Sequence, residues 1–435
     1  MRCRDPLIWF HAMSLTQSEQ ALLAYLRLDG DDNAEIVAQE AGAGSVSWDQ
    51  LCNAALRHGV GPLLYAELKE RGADGISAPL LHSLRGQYFA SLARNILTYH
   101  ELGAILELFR SESLQATLLK GAALAGTVYP DIALRPMGDV DLLVRVREVP
   151  RAKEILTACG YVPYLALAEG FNESFGQAAT FTRPIPYPVG IDLRWHLLGW
   201  SYYRKDVPSM DWFWDNALEQ RVAGIPALVL SPEGRILHLS AHLAFHHRWQ
   251  RLNWFYDIAQ VIRCYENQLD WDTVIAKAGE FEILRALQVT LDKTVALLAP
   301  PPAPEVLERV ESPRVGLTEK VVFAFMTARE KHAAILLSAI SRDNLLRKAR
   351  FLATVAFPSG EYMAERFQLS SRRKLPLYYA YRLGRGLCRV LRSFALRALR
   401  VVSGSQTTEA IEHLWPSTSA PSRSCVSTRR RKAER

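Results

Sequence analysis

The chain lacks any C-x-x-C pair, and its six cysteines (Cys3, Cys52, Cys159, Cys264, Cys388 and Cys425) are scattered. That argues against a zinc ribbon or a disulfide framework and fits a reducing cytoplasm. It also lacks any uninterrupted apolar run of about eighteen residues, so no membrane span is expected. The N-terminal stretch MRCRDPLIWFHAM is too short in apolar residues for a signal peptide. No internal repeat is evident. Acid is in mild deficit: 45 Asp and Glu against 52 Lys and Arg give a net charge of +7. The excess is uneven, with arginines dense from Arg366 to Arg400 and a tail ending Arg429-Arg430-Arg431-Lys432. Such charge suits RNA or an anionic surface, although a solvated helix face followed by a disordered tail is the commoner outcome.

What is present is ordinary for a globular protein, with 49% apolar and 22% charged residues. At 435 residues there is room for two or three domains. The most informative segment is 119–144, LKGAALAGTVYPDIALRPMGDVDLLV. Asp139 and Asp141 lie two apart in an apolar run that reads as a strand, so both carboxylates face the same way. Neighbouring buried carboxylates repel unless cations hold them, and hard oxygen pairs suit Mg²⁺ or Mn²⁺ brought with a nucleotide. Upstream, Leu118 and Leu119 end another strand-like run, and Lys120-Gly121 opens a small-residue helix. A lysine and free amides at a helix start suit a polyphosphate.

The order strand, Lys-Gly turn, helix and D-x-D strand resembles the DNA polymerase β-like nucleotidyltransferase superfamily. Within it the chain most resembles the bacterial family of uncharacterised nucleotidyltransferases. Those chains carry LKG-A-x-L, then Tyr-Pro, then R-P-x-x-D-I-D-L-L-V, matched here by Leu119–Leu124, Tyr129-Pro130 and Arg135-Pro136 through Val144. Many superfamily members have Gly-Ser in the turn; Lys120-Gly121 matches the uncharacterised branch and an abortive-infection toxin branch. The resemblance covers roughly residues 95–265.

The resemblance implies a third acid on a later strand. PVGIDLRWHLL (188–198) alternates as a half-buried strand, with Ile191, Leu193 and Trp195 on one face and Asp192, Arg194 and His196 on the other. Asp192 matches the acid of the family's V-D-L-H-W, whose His-Trp pair is Arg194-Trp195 here. Glu169 and Glu173 are the next candidates. By resemblance, Asp139, Asp141 and Asp192 are catalytic and metal-binding, and NTP is the substrate. Lys120 and the Gly121 amide are expected on the β- and γ-phosphates, with Arg135 reaching a phosphate as well.

The expected fold is α+β, a small mixed β-sheet nucleotidyltransferase core flanked by N- and C-terminal helical lobes. Its divisions are a helical lobe at 1–95, the core at 96–230, a helical subdomain at 231–300, a C-terminal helical region at 301–402 and a disordered basic tail at 403–435. Within this frame a helix is expected from Ser91 to Phe109 and another from Val149 to Cys159, stopped by Gly160. An antiparallel strand pair is expected at 178–182 and 190–196, and a short strand at 228–230. Ser231-Pro232-Glu233 is a strong helix start, and 299–304 is a proline-rich break.

Three further features have two readings each. His238, His242 and His246 recur every four residues, so a helix presents them on one face. Zinc needs a third protein partner that the run does not supply, so a structural or cleft-lining role is preferred. Asp257, in an apolar helix, calls for a partner such as Arg248, Arg251 or a histidine, a reading preferred over that of a base near the acceptor. Arg382, Arg385, Arg389, Arg392 and Arg400 oppose Leu383, Leu387 and Leu391 on a basic amphipathic helix, more often packed on its own protein than docked elsewhere.

The reading is an Mg²⁺-dependent nucleotidyltransferase, cytoplasmic, moving NMP from NTP to a hydroxyl of an unidentified acceptor. Related genes accompany natural-product and surface-polysaccharide genes, which suggests a small-molecule, peptide or protein acceptor. The alternatives are a tRNA-directed toxin and a catalytically inactive nucleotide-binding regulator.

Overall fold

A computed structural model describes residues 15–28, 47–71, 76–164, 166–168, 170–183, 189–197, 209–266, 268–299, 303–327, 345–369, 371–386 and 388. The expected disordered tail, Arg389, Arg392, Arg400, Glu169 and the side chain of Glu173 lie outside them. The chain forms two compact units, one up to Tyr362 and one from Met363 onward.

The first unit is built around a seven-stranded mixed sheet of order β3-β4-β5-β2-β1-β7-β6. The strands are β1 (Ala116–Leu119), β2 (Asp139–Val144), β3 (Val162–Pro163), β4 (Ala178–Thr182), β5 (Gly190–Arg194), β6 (Leu218–Val222) and β7 (Ile225–Val229). Among the described residues only the β1–β7 and β2–β5 pairings are parallel. The expected antiparallel pair is present, its second strand ending at Arg194 where the sequence reading ran to His196. Sequence reading placed a strand near 228 but missed β6. Ala223 and Gly224 join β6 to β7 with both residues at positive φ, as a primed two-residue hairpin turn requires.

Helices α1 (Gln17–Leu26), α2 (Trp48–His58) and α3 (Gly61–Arg71) precede the sheet. Thr16 and Ser47 close capping boxes at α1 and α2, which satisfies orphan amides at both helix starts. The helix expected from Ser91 is the second half of one 34-residue helix, α4 (Ala78–Ser111), which runs unbroken past residue 95. After β1 come α5 (Lys120–Leu124) and, beyond β2, α6 (Val149–Ala158), ended at Gly160 with φ +83°.

β-Strand alternation gives the sheet two different faces. Leu118, Val140, Leu142, Ile191, Leu193 and Trp195 pack in one core with Tyr99, Leu102 and Phe109 of α4 and Leu156 of α6. The opposite face shares a second core with the later helices through Leu119 and Leu143, alongside Leu237, Ile258 and Leu287. Asp139, Asp141, Asp192 and Arg194 belong to this second face by alternation.

The later helices include α7 (Phe171–Phe175), α8 (Asp211–Asp215), α9 (Pro232–His242), α10 (Leu252–Cys264), α11 (Trp271–Glu280) and α12 (Leu284–Leu298), and others follow at Ala303–Glu311, Leu317–Thr327, Leu345–Ala356 and Gly360–Arg366. α9 starts as expected, with the Ser231 hydroxyl accepting from the Gly234 amide at 3.1 Å. It packs on α10, α11 and α12. Among the described residues no helix is long and apolar enough to cross a membrane. In the second unit, the rings of Phe367, Tyr378 and Tyr381 cluster, and Arg385 donates to the Tyr381 hydroxyl at 3.1 Å. Residues 375–386 are helical, and there Leu383 is exposed while Arg382 and Arg385 are half-buried, so the described part does not segregate apolar from basic as the spacing suggested.

Candidate functional site

The three acids come together through sheet register. β2 and β5 run parallel with Asp141 opposite Asp192 and Asp139 opposite Gly190. β1, on the other side of β2, places Leu119 opposite Asp141, so the next residue, Lys120, emerges beside the acids. Lys120 Nζ lies 2.6 Å from Asp141 Oδ1. Its backbone sits at φ +47°, the left-handed region that disfavours any residue with a Cβ. Gly121 follows in a tight place: a Cβ there would meet Met137 Cγ at 3.3 Å and Arg135 Nη1 at 3.5 Å.

Asp141 is buried and carries a second cation, the Arg194 Nε donating to Oδ1 at 2.6 Å. Burial alone would raise its pKa; Lys120 and Arg194 reverse that and hold the carboxyl below its usual range. Burial lowers the Lys120 pKa against the pull of Asp141. For Arg194 the carboxylates outweigh burial and the pKa rises. Asp139, at the exposed end of β2, behaves oppositely. Its carboxyl is pushed up, first by loss of water around it and then by the charge of Asp141. Asp192 is oriented from both sides, accepting from Thr180 Oγ1 at 2.6 Å and from Arg194 Nη2 at 3.3 Å.

Arg135, expected on a phosphate, is committed elsewhere. Its Nε and Nη2 donate to Asp257 at 2.7 and 2.8 Å, and its Nη1 donates to the Pro136 carbonyl at 2.5 Å. Tyr129 adds a third bond to Asp257 at 2.8 Å. Burial disfavours the guanidinium charge and Asp257 more than restores it, so the Arg135 pKa is raised. The partner of Asp257 is therefore Arg135 and not Arg248, Arg251 or a histidine. The pair anchors the 129–138 segment ahead of β2, assisted by Asn95, whose amide donates to the carbonyls of Ile132 and Arg135. No spacing in the sequence announces Asn95.

The histidines roof the same site. His242 Nε2 lies 3.5 Å from Lys120 Nζ and 2.9 Å from His247 Nε2. His238, His242 and His246 share one face as their spacing predicts, with successive ring centres 5.9 and 4.8 Å apart, and the π-helical turn Leu243–His247 brings His247 against His242 as well, at 4.6 Å. His247 stacks on Trp254 with ring centres 3.3 Å apart. His238 is fully buried, and its Nε2 has no hydrogen-bond partner among the described residues. A small cavity beside it is lined by Leu118, Lys120, Leu230 and Arg235. Burial first, then Lys120, pushes His238 and His242 well below the usual histidine range, so both are neutral at pH 7.

Three carboxylates on adjacent strands are hard oxygen donors of the kind Mg²⁺ and Mn²⁺ take. Burial and the charge of Asp141 hold the Asp139 carboxyl up against the pull of Lys120 and Arg194, and a further positive charge such as that metal's would favour its ionised form. In donor chemistry and register the residues fit. Among the described residues, however, no three His, Cys, Asp or Glu side chains converge closely enough to hold a metal as they stand.

A β1–α5–β2 unit with lysine and acids at one mouth, on a mixed sheet between helices, has a counterpart in sequence. The chain belongs to the uncharacterised nucleotidyltransferases: the sequence model of that family matches residues 44–299, more than half of the chain. The match takes in α2, α3 and all of α4, well before the motif, and ends at the proline-rich break. Nucleotidyl transfer is thus the chemistry of its family, and a nucleotide its substrate class. Among solved structures, an antigenic nucleotidyltransferase-like protein from Paracoccidioides brasiliensis is 16% identical over 48% of this chain and 92% of that one. Its TM-score of 0.32 is too low to bear on the fold. No curated protein sequence is significantly similar.

Proposed function

We propose that the chain transfers a nucleoside monophosphate from an NTP, bound with Mg²⁺ or Mn²⁺, to a hydroxyl of a small-molecule, peptide or protein acceptor. The observation that supports this most is the register of Asp141 beside Asp192, with Asp139 at the mouth and Lys120 Nζ 2.6 Å from Asp141. On this reading the chain is a DNA polymerase β-like nucleotidyltransferase, which its motif supports. Asp139, Asp141 and Asp192 are the residues that would hold the metal. When bound, a divalent ion supplies the positive charge that a triphosphate and a developing alkoxide need.

The remaining work falls to the chain. The acceptor oxygen attacks the α-phosphorus, and the bond to the pyrophosphate oxygen breaks in line. Asp192, fixed by Thr180, is placed to take the hydroxyl proton. Lys120 turns from Asp141 to the β- and γ-phosphates, beside the Gly121 amide. The neutral His242 keeps Lys120 at the mouth without adding positive charge. Positioning and charge account for the rate, since little covalent chemistry is asked of the protein.

Incubating the purified protein with α-³²P-labelled NTPs and an extract of its native cells tests this reading. Label should move to an acceptor with wild type and Mg²⁺, and should not with Asp139→Asn. Equal transfer by a folded Asp139→Asn variant would remove the acids from the reaction.

A further inference from the structure

Arg194 is the charged side chain at the site that the proposed reaction leaves without a task. It sits on β5 two residues after Asp192 and so on the same face. Its side chain is only 7% exposed. Nε donates to Asp141 Oδ1 at 2.6 Å and Nη2 to Asp192 Oδ2 at 3.3 Å, so one guanidinium ties together two of the three acids. Asp141 Oδ1 also holds Lys120 at 2.6 Å, which gives that oxygen two cations. Asp141 Oδ1 and Asp192 Oδ2 are thus already engaged by Arg194 and Lys120.

A buried carboxylate, Asp141, beside a half-buried one, Asp192, calls for a counter-charge. A planar guanidinium fork is the side chain best shaped to bridge them. It competes for the same oxygens as a divalent ion, and both cannot be served at once.

We propose that Arg194 is a built-in counter-cation that holds the acid site closed to free divalent metal and yields when metal arrives with a triphosphate. This rests on the metal-binding role given above to Asp139, Asp141 and Asp192. Metal alone must pay for breaking two charge-assisted bonds. Metal with a nucleotide brings extra contacts through Lys120 and offers the displaced guanidinium new phosphate acceptors. The lock therefore couples metal entry to substrate entry.

The test is Mn²⁺ binding without nucleotide, followed by the electron paramagnetic resonance signal of free Mn²⁺, which needs no catalysis. A site closed nine times in ten loses about tenfold in apparent affinity. Arg194→Ala and Arg194→Gln should therefore bind Mn²⁺ about tenfold tighter than wild type, and Arg194→Lys should gain less. The gain should vanish in Asp141→Asn combined with Arg194→Ala. If both neutral variants fold by circular dichroism and bind Mn²⁺ no tighter, the proposal is overturned. Should either fold poorly, the wild type carries the test. With selectively ¹⁵N-labelled arginine, the protected Arg194 Nε–H resonance should lose protection on adding Mg²⁺ and NTP. Its persistence at saturation would equally overturn the lock. Failure of the lock alone is recognisable: Asp139→Asn still weakens Mn²⁺–NTP binding while the Arg194 variants gain nothing. If Asp139→Asn changes binding in no background, the metal reading of the acids falls as well.

Discussion

Arg135 and Asp257, 122 positions apart, form a buried bidentate ion pair that ties the segment before β2 to helix α10. Asp257 is 1% exposed, so removing one partner strands a charge without water. Asp257→Ala should destabilise the protein by about 3–5 kcal/mol in urea unfolding, whereas Arg135→Met with Asp257→Leu should cost much less. A double variant as unstable as the single one would mean the pair does more than neutralise itself.

The left-handed backbone at Lys120 makes a second, separable prediction. Lys120→Ala loses the ion pair and keeps the strain; Lys120→Gly loses the ion pair and relieves it. The glycine variant should unfold at higher denaturant, by about 1 kcal/mol, while both bind NTP weakly. Equal stability of the two would contradict the positive φ.

The buried histidines set a pH dependence. Their folded pKa values lie below the unfolded value of about 6.5, so below that pH the unfolded chain binds more protons than the folded one. Stability therefore falls as pH drops through about 6.5. It falls by up to about 1.4 kcal/mol per pH unit for each histidine that stays neutral when folded. Thermal melts from pH 7.5 to 5 should show this, and His238→Leu should flatten the slope. The depressed Asp141 acts in a different window, losing its contribution only as pH falls below the ordinary carboxylate range.

Asp192 lies on β5, apart from the strand that carries Asp139 and Asp141. A group that meets the attacking oxygen matters most in the transition state. Asp192→Ala should keep most NTP affinity and lower turnover by roughly a hundredfold or more. Label transfer and calorimetry together measure the split; a proportional loss of affinity would make Asp192 a nucleotide ligand instead.

Much of this was legible in the residues. Alternation in 188–196 located β5 and its two faces, and the D-x-D strand and the Ser231 cap read directly. What the sequence hid was pairing at long range. Arg135 looks like a phosphate ligand until Asp257 is folded onto it, and Asp257 has nearer arginines in sequence that it does not use. Arg194 was visible on the acid face, yet only the register of β2 with β5 brings it to Asp141. The histidine repeat predicted the shared face that is found, whereas the π turn at Leu243–His247, which no spacing signals, adds His247 as a hydrogen-bond partner of His242. β6 escaped because LEQRV is polar and sits at the sheet edge, where alternation is weak.

The most direct measurement is calorimetric titration of each NTP into wild type and Asp141→Asn, with Mg²⁺ and with EDTA. The account predicts binding of at least one NTP in Mg²⁺, its loss in EDTA, and weakened metal-dependent binding in Asp141→Asn because an anionic ligand is gone. Equal affinity in Mg²⁺ and in EDTA would contradict it.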